Sequence, residues 1–76
     1  MKLDPRHLAQ LSTIVETGSY QGAADRLGIS QPALSRNMSV LESRLKAPIF
    51  RRSGRKAIAT ELGRKLARAG LSIRIA

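Results

Sequence analysis

A short turn between two stretches of helical periodicity is the feature that most restricts the fold of this chain. Gly28 is typical of the residue that follows a helix end, and Ser30 can cap the next helix through its hydroxyl. Pro32 then stands in the first turn of that helix, where its missing N–H costs nothing. The sequence therefore predicts two helices joined by about three residues.

The helix after this turn is amphipathic. Its large apolar residues recur at spacings of 4, 3 and 4, which gathers them on one helix face. These residues are Leu34, Met38, Leu41 and Leu45. The opposite face begins with Gln31, Ser35 and Arg36, whose side chains can hydrogen-bond to base edges and phosphates. From this helix alone, a nucleic-acid recognition helix and an ordinary amphipathic helix with a polar exterior are equally good interpretations.

A first helix is predicted over about 5–17. Asp4 followed by Pro5 is a helix start signal, and Gly18 stands just past the predicted end. The helix has a wide apolar stripe and exposed charges of both signs, which is typical of a scaffold element. His7 is expected to lie solvated on it.

A second, shorter helix is predicted over about 20–27, with Ser19 as its N-cap. Ala23 and Ala24 are small enough to let another helix approach closely. A short helix, a glycine-containing turn and a longer amphipathic helix form the helix-turn-helix pattern. This pattern favours the recognition-helix interpretation of the helix that begins at Gln31.

Two short strands are predicted after Pro48, at residues 49–51 and 57–59, around a turn that contains glycine. We interpret this hairpin as a wing. Its basic residues are Arg51, Arg52, Arg55 and Lys56. So many like charges in one hairpin are expected to meet phosphates or enter a narrow minor groove, and the alternative is a basic loop that is merely solvated.

A last helix is predicted to begin after Thr60, with Glu61 at the positive end of its dipole. A narrow apolar stripe at spacings of 4, 3 and 4 resembles a two-helix seam and predicts a dimerising helix. The stripe consists of Leu62, Leu66, Ala69 and Ile73. Gly70 costs about 1 kcal/mol relative to alanine within a helix, so fraying is expected before Ala76. The apolar end predicts that the chain is part of something longer or pairs with a copy of itself.

The charge is large and uneven. Lys and Arg number 14 against 5 Asp and Glu, a net charge of +9, of which residues 1–50 carry +2 and residues 51–76 carry +7. Such a field indicates an anionic partner, most often nucleic acid and less often an acidic membrane surface, while simple solubility is the alternative. Seventy-six residues allow a single small domain.

Other function classes are disfavoured. With no cysteine and one histidine, the chain offers no disulfide, thiolate zinc site, cysteine nucleophile or multi-histidine metal site. Its acidic residues are dispersed and no glycine-rich phosphate loop occurs, so we expect no enzyme, no metal and no cofactor. The sequence contains no signal peptide and no apolar run of about 18 residues. We expect a soluble protein of the cytoplasm, associated with the nucleoid.

The motifs resemble those of a known family. The run from Gly18 to Arg36, with Leu41-Glu42 and the stretch 49–52, resembles the N-terminal DNA-binding domain of LysR-type bacterial transcriptional regulators over residues 8–63. The resemblance implies a mainly α winged helix-turn-helix, with a three-helix core, a short β-hairpin wing and a C-terminal linker helix. It implies a DNA-binding domain at 1–59 and the start of a dimerising linker helix at 60–76. The effector domain that binds a small-molecule inducer would lie outside these residues.

The resemblance also assigns roles at the interface. The positions that match the major-groove contacts are Gln31, Pro32, Ser35 and Arg36. Arg55 matches the wing residue that reaches the minor groove, and Ser30 matches a phosphate contact. Tyr20 stands where phenylalanine is usual, and its hydroxyl is expected to meet a phosphate. Lys46 replaces a common glycine, so the bend after the third helix is expected to differ. The predicted phosphate contacts are Ser30, Tyr20, Arg51, Arg52 and Lys56.

The leading hypothesis is sequence-specific binding of double-stranded DNA, with the helix at about 31–45 in the major groove and the wing at about 51–57 on the minor groove and phosphates. A homodimer through the linker helix would bind an inverted repeat. The alternative is a winged-helix module that binds an acidic protein through its basic face. A third possibility is a membrane-surface helix at 61–76, although it lacks interfacial aromatic residues.

Overall fold

The computed structural model describes the backbone of residues 3–75 and the side chains of residues 3–70. The order of elements is α1 Pro5–Thr17, α2 Tyr20–Leu27, α3 Gln31–Leu45, β1 Phe50–Ser53, β2 Lys56–Ala59 and α4 Glu61–Ile75. The two strands form one antiparallel hairpin. This is the mainly α winged helix-turn-helix fold, which confirms the predicted fold class.

Each of the first three helices begins at a side-chain cap that the sequence predicts. The capping oxygens of Asp4, Ser19 and Ser30 accept hydrogen bonds from backbone N–H groups in the first turn, at 2.9 to 3.2 Å. Gly18 and Gly28 end α1 and α2 in the left-handed conformation. The predicted bounds of these helices are therefore confirmed.

The core lies between α1 and α3, and it is aliphatic. Its largest fully buried side chains are Leu11, Ile14, Leu34, Met38, Leu41, Ile49 and Thr13. Ala23 and Ala24 of α2 are also buried, so this short helix packs close to the other two. The predicted apolar face of α3 is confirmed, with Leu45 partly buried at its end.

Small residues on α4 bring it close to α1 and to the start of the wing. Among the α4 side chains that the structure describes, the buried positions are Gly63, Ala67 and Gly70. A Cβ atom on Gly70 would collide with the backbone carbonyl oxygen of Leu8, and one on Gly63 would collide with that of Ile49. The helix continues through Gly70 to Ile75. This glycine therefore permits a close approach that alanine would prevent.

The predicted dimerisation stripe lies only partly on the surface of the chain. Leu62 and Leu66 are partly buried and pack against the chain's own core, whereas Ala69 is exposed. The side chain of Ile73 lies outside the described residues. Dimerisation through this stripe stays a prediction, as does the domain boundary at residue 59.

The wing has longer strands and a tighter turn than the sequence analysis predicts. Its strands pair Phe50 with Ala59 and Ser53 with Lys56, which leaves a two-residue turn. Gly54 opens this turn at a φ of +61°, a conformation that glycine adopts without strain. The expected five-residue turn is therefore wrong, because the glycine allows pairing to continue to the tip.

Lys46 makes the bend after α3 by itself. It has φ +55° and ψ +36°, the left-handed conformation that glycine adopts at helix ends, and its N–H donates to the Glu42 carbonyl oxygen. The Glu42 carboxylate accepts a hydrogen bond from the Ile49 N–H at 2.8 Å, which fixes the chain where it enters β1. The sequence predicts a different bend here because Lys46 replaces a common glycine. The structure shows the left-handed conformation that glycine would adopt, and a lysine bears backbone strain in it.

Candidate nucleic-acid interface

An open groove of about 520 Å³ separates the wing from the first turns of α2 and α3. Its lining residues are Ser19, Tyr20, Gln21, Gln31, Arg52, Gly54, Arg55 and Lys56. Among these described residues three are cationic and none is acidic. The N-terminal turns of two helices border the groove, and helix N-termini favour anions. The groove therefore suits a chain of phosphates.

The structure brings five predicted site residues together in this groove. They are Tyr20, Gln31, Arg52, Arg55 and Lys56. Ser19 and Gln21 also line it, and neither is among the site residues predicted from the sequence. The sequence predicts Ser19 as a helix cap, and caps lie at helix N-termini, so its place beside an anion-binding groove has a signal in the sequence.

Arg36 lies on a different part of α3, in a shallow depression along its exposed face. The depression is lined by Arg36, Ser39, Val40, Ser43 and Arg44. Positions three, four, seven and eight residues after Arg36 share its face, so helical spacing could have identified these neighbours. The exposed face of α3 thus extends the candidate interface from Gln31 to Arg36, and Pro32 between them is exposed.

The Tyr20 cluster, consisting of Tyr20, Phe50, Arg52 and Ser35, joins α2, α3 and the wing. The rings of Tyr20 and Phe50 meet edge to face, with centroids 5.7 Å apart. The Arg52 guanidinium carbon lies 4.3 Å from the centroid of the Tyr20 ring, within the range of a cation–π contact. Arg52 also donates a hydrogen bond to the Ser35 Oγ atom at 3.2 Å.

The Tyr20 phenol stays neutral in this setting. Burial raises its pKa above the ordinary value of 10.0, and the nearby charge of Arg52 offsets part of this rise, while the charge of Glu42 adds to it. A neutral phenol keeps its proton near pH 7. It can therefore donate a hydrogen bond to an anionic group.

The remaining predicted contacts are exposed. Arg51, Arg55 and Lys56 of the wing are exposed, and so is Ser30 at the start of α3. The Ser30 Oγ atom already accepts the N–H of Ala33 at 3.2 Å, so its own proton is the group left for an anion.

One polar contact fixes α3 against α1. The Asn37 side-chain amide donates to the Gln10 side-chain oxygen of α1 at 2.9 Å, and this contact is partly buried. The sequence does not predict this pair, because two polar residues 27 positions apart give no local signal. The pair holds α3 just behind Arg36.

The described part of the chain shows two absences. Within it, no group of three or more His, Cys, Asp or Glu side chains is placed to hold a metal ion. None of its helices combines the length and apolar character needed to span a membrane.

Residues 5–64 match the family model described as the bacterial regulatory helix-turn-helix protein, lysR family. The chain belongs to the LysR family. The match covers α1 through the first turn of α4, and so includes every element that borders the groove.

Relatives of this LysR-family chain are named as regulators. It is 48% identical over 60 residues to a probable RuBisCO transcriptional regulator of Gracilaria tenuistipitata var. liui, covering 79% of this chain and 19% of the relative. It is 42% identical over 64 residues to a small neutral protease regulatory protein of Streptomyces coelicolor, covering 84% of this chain and 20% of the relative. The chain spans about a fifth of the length of these curated relatives.

Solved structures resemble the whole LysR-family fold. The OxyR C206S mutant of Corynebacterium glutamicum matches with a TM-score of 0.89 and 35% identity, covering 99% of this chain and 23% of that one. The BenM DNA-binding domain, solved with benA site 1 DNA, matches with a TM-score of 0.84 and 32% identity. The match covers 95% of this chain and 81% of that one. The CbnR DNA-binding domain, solved with DNA, matches with a TM-score of 0.86 and 30% identity. The match covers 95% of this chain and 83% of that one.

Proposed function

We propose that this LysR-family chain binds double-stranded DNA in a sequence-specific manner, as the operator-binding part of a transcriptional regulator. The cationic groove between α3 and the wing is the observation that carries the proposal. Its support is twofold: the groove lies beside the exposed start of a recognition helix, and the BenM and CbnR domains of the same fold were solved with DNA.

The first half of α3 is proposed to contact base edges in the major groove. The residues assigned this role are Gln31, Pro32, Ser35 and Arg36. Gln31 can bond adenine through two atoms and Arg36 can bond guanine in the same way. Each good contact of this kind is worth about 1–3 kcal/mol of discrimination.

The wing and the neighbouring caps are proposed to hold the DNA backbone. Arg55, at the wing tip, is assigned to the minor groove. Arg51, Lys56 and Ser30 are assigned to phosphates, together with the Tyr20 hydroxyl. The phosphate contacts set register and salt dependence and carry no sequence information directly.

A homodimer is proposed to form through α4 and to bind an inverted repeat. Its seam would use the part of Leu62 and Leu66 that the core leaves uncovered, with Ala69 and Ile73. In this proposal residues 1–59 bind DNA and residues 60–76 begin the linker helix, while a small-molecule inducer binds a separate effector domain. The regulator would act in the cytoplasm at the nucleoid, without enzymatic activity.

Selection from a random duplex library at near-physiological salt tests the proposal, because salt suppresses phosphate-only binding. We expect an enriched inverted repeat. A single enriched half-site would support base-specific binding and contradict the dimer. Tight binding at low salt without any enriched sequence would contradict specific DNA binding and favour a protein-binding module.

Two variants assign the base contacts. Gln31→Ala and Arg36→Ala are each expected to relax preference at one base position, by about 1–3 kcal/mol. Arg26→Ala is the matched control, because it removes the same charge from α2, where Arg26 pairs with Glu16 at 3.0 Å. Equal weakening on all sequences by Gln31→Ala would show that Gln31 does not contact a base.

A further inference from the structure

Arg52 differs from the other basic residues of the wing in being engaged within the protein. Its guanidinium lies on the Tyr20 ring and donates to the Ser35 Oγ atom. A phosphate contact, the role expected from the sequence, would have to compete with both partners.

We propose that Arg52 is a positioning residue that presents the Ser35 hydroxyl to DNA as a hydrogen-bond donor and so sets the base preference at the position Ser35 contacts. The proposal rests on the proposed function, since it requires α3 to bind base edges. It assigns Arg52 to sequence preference instead of to phosphate affinity.

Strand alternation separates Arg52 from its neighbour Arg51. Residues two apart on a strand share a face, so Arg52 lies on the face of Phe50, and it pairs across the hairpin with the buried Ala57. Arg51 lies on the other face and pairs with the exposed Ile58. Both arginine side chains are exposed, but Arg52 lies on the hairpin face that contacts Tyr20 and Ser35, whereas Arg51 lies on the opposite face.

The chemistry of the serine hydroxyl explains why this contact affects sequence preference. A free serine can donate or accept, and can therefore bond either kind of base edge. Arginine has donors only, so its bond to Ser35 occupies one of the two acceptor positions on Oγ, and its positive charge disfavours a second donor at the other position. The hydroxyl proton is then directed to other acceptors. Base edges that offer an acceptor are favoured over the amino groups of adenine and cytosine.

The Tyr20 ring, whose centroid lies 4.3 Å from the guanidinium carbon, keeps the Arg52 side chain in place. Arginine stacks on aromatic faces through a flat, delocalised group, which the compact ammonium of lysine does not reproduce. The edge-to-face contact of Tyr20 with Phe50 holds the ring in turn. Lysine at position 52 would keep the charge and lose this fixed orientation.

The test combines library selection with salt titration of the full 76-residue chain, using Arg52→Met, Arg52→Lys and Ser35→Ala. We expect each Arg52 variant to reduce base preference about 3- to 10-fold at one position, the same position that Ser35→Ala relaxes. In the Ser35→Ala background, Arg52→Met should relax preference no further. The slope of log K against log salt should stay at the wild-type value in both Arg52 variants.

Arg51→Met is the matched control. Removing a phosphate contact should reduce the salt slope by about 0.9 and leave the base preference unchanged. If Arg52→Met gives this same pattern, Arg52 is a phosphate contact and the proposal is wrong. Uniform weakening on all sequences, or full preference in Arg52→Lys, would overturn it as well.

Two checks distinguish the role of Arg52 from loss of folding in a variant and from absence of specific DNA binding in the wild-type chain. Urea unfolding identifies a variant that has lost its fold, and Arg52→Lys, the milder change, then decides the question alone. A wild-type chain that enriches no sequence would overturn the proposed function, and this inference with it. An enriched sequence with unaltered profiles in the Arg52 variants would overturn only the role of Arg52.

Discussion

The wing and α4 are attached to the same helical core in opposite ways. α4 lies close to α1 because Gly63, Ala67 and Gly70 have little or no side chain. The wing is attached by backbone hydrogen bonds and by the Tyr20 cluster, while most of its side chains are exposed. The attachment of α4 depends on small side chains that allow close packing, and the attachment of the wing depends on oriented polar groups.

This difference separates stability from binding. A backbone packed directly on a backbone cannot accommodate an added atom, so the α4 contact should be sensitive to volume and insensitive to charge. Exposed cations contribute little to folding, so the wing should tolerate substitution for stability and lose DNA affinity instead. The following variants test each side of this contrast.

Gly70→Ala is expected to have the largest effect. Its Cβ atom would collide with the Leu8 carbonyl oxygen, a backbone atom that α1 holds in place. We expect a loss of about 1–3 kcal/mol in the free energy of unfolding, although alanine favours helix by about 1 kcal/mol. Urea unfolding followed by circular dichroism measures it.

Gly22→Ala is the control for Gly70→Ala. The added Cβ would meet the Ser19 Oγ atom at 2.9 Å, and a hydroxyl can shift. The gain in helix propensity and the weakened cap should cancel to within about 1 kcal/mol. Equal destabilisation by the two variants would contradict the special closeness of α4 and α1.

Arg55→Gln tests the wing side. We expect the free energy of unfolding to change by less than about 0.5 kcal/mol, because the side chain is exposed. DNA affinity should fall and the salt slope should decrease by about 0.9. Fluorescence anisotropy at several salt concentrations measures both. An unchanged salt slope would contradict the proposed place of Arg55 in the minor groove, between the phosphates of the two strands.

Lys46→Gly tests the junction between α3 and the wing. Among the residues described, Lys46 is the one non-glycine with a positive φ. Glycine relieves this strain, so we expect a gain of about 1 kcal/mol in the free energy of unfolding. Lys46→Ala keeps the strain and removes the charge, and should bring no such gain. An equal gain in both would assign the effect to charge.

Asp4→Asn is expected to have the smallest effect and tests charge on the α1 side. Hydrogen bonding to Arg6 lowers the pKa of the Asp4 carboxyl below its ordinary value of 3.8. Its contribution is therefore present above about pH 4 and is lost as the pH falls through the lowered pKa. Asparagine still caps the helix and does not titrate in this range. Between pH 2 and 6, the free energy of unfolding should therefore fall less steeply with falling pH in the variant than in the wild-type chain.

Local signals in the sequence were sufficient for the helices and for the wing. Caps such as Ser30 act within three or four residues, so spacing alone locates them. The two strands followed from turn chemistry, although Gly54 made the turn shorter than expected. At the candidate interface, local signals located Gln31 at the start of α3 and Arg55 in the wing, and the structure brings the two residues to one groove.

Contacts between distant residues gave no such signal. The apolar spacing on α4 predicted Leu62 and Leu66 as a dimer seam. The buried positions of this helix include Gly63 and Gly70, which have no side chain and so do not appear in an apolar pattern. Likewise, a run of wing arginines indicates charge and does not show that Arg52 lies on a ring. Such pairings exist only once the chain has folded.

The backbone bond between the wing and the turn before α2 affects how hydrogen exchange should proceed. The Ala57 N–H donates to the Gly18 carbonyl oxygen at 3.0 Å, outside the hairpin's own ladder. An isolated two-stranded hairpin is at best marginally stable in water. The Ala57 amide should therefore exchange with deuterium only when the wing undocks, while amides at the exposed tip exchange on faster local opening. A single backbone proton thus reports the opening of the groove wall in solution.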